Sequence, residues 1–478
     1  MKLANKSHSF IYNLFYAFAA QAISLFVSFL MSLIVPKLLG ITEFGYWQLF
    51  IFYSGYVGFF HFGLNDGVYL KYGGNSYKDL DNKLLGSQFW ASMLLQTVIA
   101  VGVIMYAFIY TNNDARIFVL ISAAVCLILV NASGFIGYIF QAVNLTRIYS
   151  LSVIIDKVFF IAAVFILLFI RETDFRPFVL LYLLSKFASL IYCIYKGKEI
   201  IFVHIQNLKT TFVEISKNIA IGINLMAANI ASMLILGAGQ LFIDQRWGIN
   251  AFGKISFSLS LTNLFLVFLA QFSMVLFPAL RQSGSDNLNH LYQKIRSNFA
   301  LIFLAIPLFY FPMTYVLILW LPQYLESLRY MIFLLPLCIF EGKMQVLCNT
   351  YLKVLRKERV LLGVNLIAML ISFALIWISV YVIQSIVAVV VSMVFSVIVR
   401  SIIAENYLSK LMNISTLKFL VQEISLSLIF MVATWFLPSF MAFIIYLLAY
   451  IVYLFINKSL IKEFGSTLSR KIRIRKQH

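Results

Sequence analysis

Apolar runs of 18 or more residues recur from one end of this 478-residue sequence to the other, and they limit its fold more than any other feature. Each run is long enough to cross the hydrocarbon core of a bilayer as a helix. A backbone in lipid must satisfy its own hydrogen bonds, so a run of this length reads as a helix. Hydrophobic residues make up 62% of the chain, charged residues 12%, and the mean hydropathy is +0.93, which is far from a soluble domain. The expectation is an all-α polytopic membrane protein. A net charge of +19 does not point to nucleic acid, because no single basic face carries it; it is scattered through short loops, as membrane topology requires.

Fourteen spans can be counted. The first six occupy residues 10–35, 44–64, 84–110, 117–143, 149–170 and 175–195. The next six occupy 219–243, 255–280, 299–321, 328–351, 360–383 and 385–403, and two more occupy 417–437 and 440–456. This divides the chain into an N-terminal lobe (1–196), a polar linker (197–218), a C-terminal lobe (219–408), two additional spans (409–457) and a basic tail (458–478). Leu208, Phe212 and Ile215 recur at helical spacing in the linker, which suits a segment lying on the membrane surface. With the N-terminus inside, and charges near span ends counted with the adjoining loops, the cytoplasmic segments hold 27 lysines and arginines and the outer loops 7, so both termini are expected in the cytoplasm. No loop is long enough to fold as a soluble catalytic module. The first run is too long for a signal peptide, and its AAQA lies mid-span, so no cleavage is expected. Cys126, Cys193, Cys338 and Cys348 all fall inside apolar runs and read as reduced packing residues.

One short motif occurs twice. GITEFG, Gly40 to Gly45, returns as GINAFG, Gly248 to Gly253, at an offset of 208 residues. At that same offset Gln21 aligns with Asn229, Ser24 with Ser232 and Ser32 with Gln240. Transporters are often built from internal repeats with the substrate path between them. The first span carries Asn13, Gln21, Ser24, Ser28 and Ser32 along one helical face, and the seventh carries Asn218, Gly222, Asn229, Ser232 and Gln240. Small and polar residues of this kind serve either as glue between helices or as the wall of a hydrophilic cavity. Their placement at equivalent repeat positions favours the cavity.

Five ionisable residues stand out well within apolar runs: Asp156, Lys157, Lys186, Glu341 and Lys343. Such groups are costly in hydrocarbon and are functional candidates. Counted from the cytoplasmic helix ends, Asp156, Lys186 and Glu341 lie roughly 10–15 Å deep at a rise of 1.5 Å per residue. Asp156 and Lys186 stand on consecutive antiparallel helices and can pair. Lys157 is near enough to the surface to snorkel. Arg246 and Lys254 flank the second glycine motif at the expected outer mouth. The first span has no carboxylate, whereas a cation exporter needs one to hold its substrate. Amides, hydroxyls and lysines suit an anion rich in hydroxyl groups. There is no G-x-x-x-x-G-K-[ST], no H-E-x-x-H and no cluster of the five histidines, so neither catalysis nor a bound cofactor is expected.

The segment VPKLLGITEFGYWQLF (Val35 to Phe50), the segment LPLCIFEGKMQVLCNTYLKVLRKE (Leu335 to Glu358) and the fourteen-span layout resemble the O-antigen-type oligosaccharide lipid flippases. These belong to the polysaccharide transporter family of the multidrug/oligosaccharidyl-lipid/polysaccharide exporter superfamily. The resemblance covers essentially the whole chain. It implies two six-helix lobes around a cavity that opens alternately to each side, in the inner (plasma) membrane of a bacterium. The implied substrate is an undecaprenyl-diphosphate-linked oligosaccharide for O-antigen, capsule or other surface polysaccharide, handed on to other assembly proteins of the membrane. By position the diphosphate ligands would be Lys186 first and Lys343 second, with Arg246 at the mouth. Asp156 and Glu341 are the carboxylates for coupling to H+ or Na+. Relatives with an arginine in the first span differ from this chain, which has none. The alternative within the superfamily is a multidrug exporter.

Overall fold

Gly40 and Gly248 share one backbone conformation, φ 71° with ψ 179° and φ 80° with ψ −177°. That region of backbone space is open essentially to glycine alone. In both cases the residue breaks an otherwise continuous helical stretch, so the offset of 208 residues is a repeat of structure as well as of sequence. The second glycines of the motifs serve a different purpose. A Cβ on Gly45 would lie 2.8 Å from the Ile249 carbonyl oxygen, and one on Gly253 would lie 2.9 Å from that of Ile41. Thr42 Oγ1 donates to Asn250 Oδ1 at 2.8 Å. Every partner here stands 208 residues from its counterpart, so the two motifs pack on each other as a quasi-symmetric pair.

The computed structural model describes the backbone over residues 2–282 and 285–458, and among these there is no strand. Side chains near the N-terminus, Asn13 among them, and the basic tail Arg470 to Lys476 lie outside the described residues. The N-terminal helices are α1 (Lys2–Leu33), α2 (Val35–Val57), α3 (Leu64–Tyr72), α4 (Asn82–Tyr110), α5 (Asp114–Ala142), α6 (Thr146–Phe169), α7 (Phe175–Lys196) and the short α8 (Lys198–Ile201). The long α9 (Leu208–Gln282), broken at Gly248, leads to α10 (Ser285–Phe303), α11 (Tyr310–Trp320), α12 (Leu325–Leu334), α13 (Leu337–Lys343) and α14 (Asn349–Val354). The remainder are α15 (Glu358–Ile378), α16 (Ile386–Leu411), α17 (Leu417–Phe436) and α18 (Ser439–Ile456). Asp81, Asn113, Asp174 and Ser385 cap α4, α5, α7 and α16 by accepting from backbone amides of the first turn.

By length and composition ten helices can cross a membrane, or up to twelve if each of two bent pairs is one span. The sequence count of fourteen differs in two places. The stretch Leu208–Val267 counts once although Gly248 breaks it, and the bent pair Phe18–Leu33 with Val35–His61, at 73°, takes in both of the first two runs. Pro336 precedes α13 at the other bent pair, Pro322–Leu334 with Leu337–Val354, where the bend is 48°. All four cysteines are buried in the helices.

The chain forms two compact units: Met1–Gly237 with Trp247–Ser256, and Ala238–Arg246 with the chain from Phe257 onward. The glycine-motif contact explains why a short piece beyond Gly248 belongs with the first. In that unit α4 packs along α5 and α6 along α7; in the second, α15 packs along α16 and α17 along α18. The irregular backbone after α2 is satisfied by side chains, as buried non-helical backbone must be. Gln96 donates to the Phe60 carbonyl at 2.7 Å, and Asn131 donates to that of Val57 at 2.9 Å. Loops that alternate counting assigns to the same side meet one another. Glu43 accepts from the Phe175 amide and Tyr46 bonds Asn113 on one side. On the other, Lys71 pairs with Glu214 and Ser87 accepts from the Gln206 amide.

Candidate functional site

Antiparallel α6 and α7 bring Asp156 and Lys186 together, Nζ to Oδ2 at 2.7 Å. Lys157 reaches the same oxygen at 3.2 Å, and Ser185 donates to the other carboxylate oxygen at 2.9 Å. Two ammonium groups therefore share one carboxylate, which leaves a unit of positive charge within the helix bundle. The cluster is not sealed: the Lys186 side chain is 17% exposed and that of Lys157 22%, against 6% for Asp156. Tyr182 lies beneath the Lys186 ammonium at 4.9 Å and leans on Trp47, Phe50 and Phe160, a rigid aromatic floor.

The second unit treats its buried charges in the opposite way. Lys343 lies between Glu405 and Glu423, at 2.6 and 2.7 Å, while Arg296 pairs with the same two carboxylates. The four groups alternate in sign around a ring, their charges cancel, and none is more than 1% exposed. Glu341 bonds Arg400 at 2.9 Å, and Arg400 also donates to Asn365. Glu423 belongs to α17, so this ring ties a helix outside the repeat to α10, α13 and α16.

The polar stripes divide in character. Ser24 and Ser28 donate to carbonyls four residues back in their own helix, at 2.8 and 3.0 Å. Gln21, Ser232 and Gln240 are half-buried, Ser32 is buried and Asn229 is exposed. Asn218 is fully buried and donates to Gln88 at 2.7 Å, while Gly222 packs on the Gly63 backbone, so that end of the second stripe is packing. Arg246 is exposed two residues before the Gly248 break, and Lys254 is half-buried. Sequence reasoning missed Arg296, Arg400, Glu405 and Glu423. Arg400 and Glu423 interrupt apolar runs, so the depth argument used for Lys186 would have found them. Arg296 and Glu405 sit at span edges, where a charge ordinarily reads as solvated.

A family model described as "Polysaccharide biosynthesis protein" matches residues 10–283, more than half of the chain. Among solved structures, the fold is similar to the lipid II flippase MurJ in an inward closed conformation. The TM-score is 0.58 at 13% identity over 94% of this chain and 100% of that one. It is also similar to an inward-facing multidrug resistance MATE transporter of the MOP superfamily, with a TM-score of 0.57 at 12% identity, covering 82% of this chain and 93% of that one. No curated protein sequence matches the chain.

Proposed function

Since the chain belongs to the polysaccharide biosynthesis protein family, we propose that it is a flippase for an undecaprenyl-diphosphate-linked oligosaccharide, moved from the cytoplasmic to the outer leaflet of a bacterial plasma membrane during surface polysaccharide assembly. A diphosphate and a sugar chain cannot enter hydrocarbon unaided, because their polar groups would lose their hydrogen bonds. A polar path takes the head group by alternating access while the polyprenyl chain stays in lipid. No bond is broken, so no catalytic group is called for.

The observation that carries this reading is the uncancelled positive charge of the Lys186–Asp156–Lys157 cluster, part-exposed within an apolar helix pair. It offers a diphosphate a net cation, because either lysine can turn to the substrate while the other stays paired with Asp156. Lys186 is the diphosphate ligand in this proposal and Lys157 its neighbour. Lys343 is placed in the structural ring, since both of its carboxylate partners would have to be released before it could meet a substrate. Asp156 remains the candidate for coupling to H+ or Na+. The test is deletion of the gene followed by analysis of lipid-linked sugars. The flippase reading expects them to accumulate on the cytoplasmic face, and normal export would overturn it.

A further inference from the structure

Phe62 and Gly63 take left-handed backbone, φ 53° and 88°, and turn the chain between α2 and α3. His61 and Asp66 stand on either side of this turn with Nε2 and Oδ2 3.8 Å apart, and both residues are buried. The Gly63 amide donates to His61 Nδ1 at 2.9 Å. A ring nitrogen that accepts from an amide carries no proton, so the imidazole is neutral and its hydrogen is on Nε2. An imidazolium would set two N–H groups against each other across that same distance. The one charge this pair can carry is therefore that of the Asp66 carboxylate.

This charge has little to stabilise it. At 3.8 Å the imidazole is too far for a hydrogen bond, and among the described residues Asp66 accepts none from any other group. Lys71, the lysine of its own helix, pairs with Glu214, and so does Lys217 of α9. From α5 the titratable side chain that faces Asp66 is Tyr138, a neutral phenol. A buried carboxylate with neither a cation nor a hydrogen bond takes up a proton in preference to staying ionised. Asp66 lies beyond the spanning pair that ends at His61, and burial pushes its carboxyl up to about 6. Asp156 is the opposite case, since two ammonium groups hold it as an anion.

The same turn is pressed against the first half of α9. A Cβ on Gly67 would fall on the Asn218 carbonyl, one on Gly63 would lie 2.8 Å from the Ile223 nitrogen, and one on Gly222 would lie 3.0 Å from the Asp66 Cβ. Glycine lets the two backbones meet, and the meeting places α9 over Asp66. If this seam parts, water reaches the carboxyl and its proton affinity falls to the ordinary carboxylate value. Proton binding and closure are then linked, each favouring the other. We propose that Asp66 is a proton site, on the side that charge counting assigns to the cytoplasm, and that loading it holds the seam between α3 and α9 closed. The sign follows from burial. Closure is favoured below about pH 6 and loosens as pH rises through that value, because closing then buries an anion. This switch needs no substrate and is independent of the flippase reading.

The experiment uses the purified full-length chain in detergent. Infrared difference spectroscopy reads the carbonyl stretch of protonated carboxyls. Hydrogen–deuterium exchange, corrected for the intrinsic effect of pH, reads the amides of residues 61–72 and 214–224. A carboxyl band present at about pH 5 should be lost by about pH 7.5, and Asp66→Asn should lack it. Protection of the seam should fall about tenfold over the same interval, the change for a carboxyl near 6 when buried and about 4 when hydrated. Asp66→Asn is neutral at every pH and should stay protected throughout. His61→Asn keeps an acceptor for the Gly63 amide but cannot titrate, so its protection should follow the wild-type curve; a flat curve there would make the imidazole the proton site and overturn the proposal. Wild-type protection that does not change with pH, or an Asp66→Asn protein that keeps the wild-type band or the wild-type curve, would overturn it as well.

Discussion

Replacing Lys343 by methionine tests whether the ring of charges in the second unit is structural. Its ammonium is fully buried and has Glu405 and Glu423 at 2.6 and 2.7 Å, with Arg296 as their other partner. Lys343→Met leaves two buried carboxylates facing one guanidinium, an uncompensated negative charge. Breaking a buried pair in this way costs about 3–5 kcal/mol. Glu423→Gln alone leaves the opposite imbalance and should cost a similar amount. The double variant keeps Arg296 opposite Glu405, so the charges balance again. Its residual loss should be about 1–2 kcal/mol, from hydrogen bonds no longer made. The two single losses would sum to roughly 6–10 kcal/mol, so the double-mutant cycle should show a coupling of several kcal/mol. Denaturant titration of the purified protein in mixed micelles, followed by tryptophan fluorescence, measures each step. The reasoning fails if the two losses simply add, to within about 0.5 kcal/mol. An export assay on the same variants separates the roles: the double variant should retain surface polysaccharide if Lys343 serves the ring and lose it if Lys343 holds substrate.

Lys186→Ala and the Lys186→Ala/Asp156→Asn pair should both lose surface polysaccharide at normal protein levels, while Lys186→Arg keeps part of it, because arginine retains the charge but not the shape; full export by the double variant would reduce Lys186 to a packing role. Gly248→Ala should destabilise the protein by about 1–3 kcal/mol, the range for a residue forced into a rare backbone region, and Gly40→Ala should match it; thermal unfolding of the two variants side by side is the check, and a harmless substitution at either site would break the structural repeat. A reporter active only in the cytoplasm should work when inserted between Gln206 and Lys209 and fail at Asn112 or Gln323, the reverse pattern being fatal to the assigned orientation. Cysteines at Gln21 and Asn229 should react with small water-soluble thiol reagents while one at Phe26 does not, and equal inertness at all three would make the stripes packing surfaces.

Local chemistry made part of this protein legible in one dimension. A run of apolar residues must become a helix in lipid wherever it lies, and a glycine that adopts a positive φ does so because it lacks a Cβ, whatever surrounds it. So the all-helical fold and the repeat at Gly40 and Gly248 could be read directly from the order of residues. The Asp156–Lys186 pair was also within reach, because the two residues lie on consecutive antiparallel helices. Partner choice elsewhere was not. Lys343 meets Glu405 and Glu423 from 62 and 80 residues away, and Arg296 meets Glu405 across 109. Those meetings depend on how α10, α13, α16 and α17 pack, and no periodicity within a single helix encodes that. Exposure likewise belongs to the folded chain. Lys186 and Lys343 look alike in sequence, each a lysine in an apolar run, yet one shares a carboxylate with a second lysine and remains partly open. The other is closed in by two carboxylates, and only the packing of four helices decides that difference.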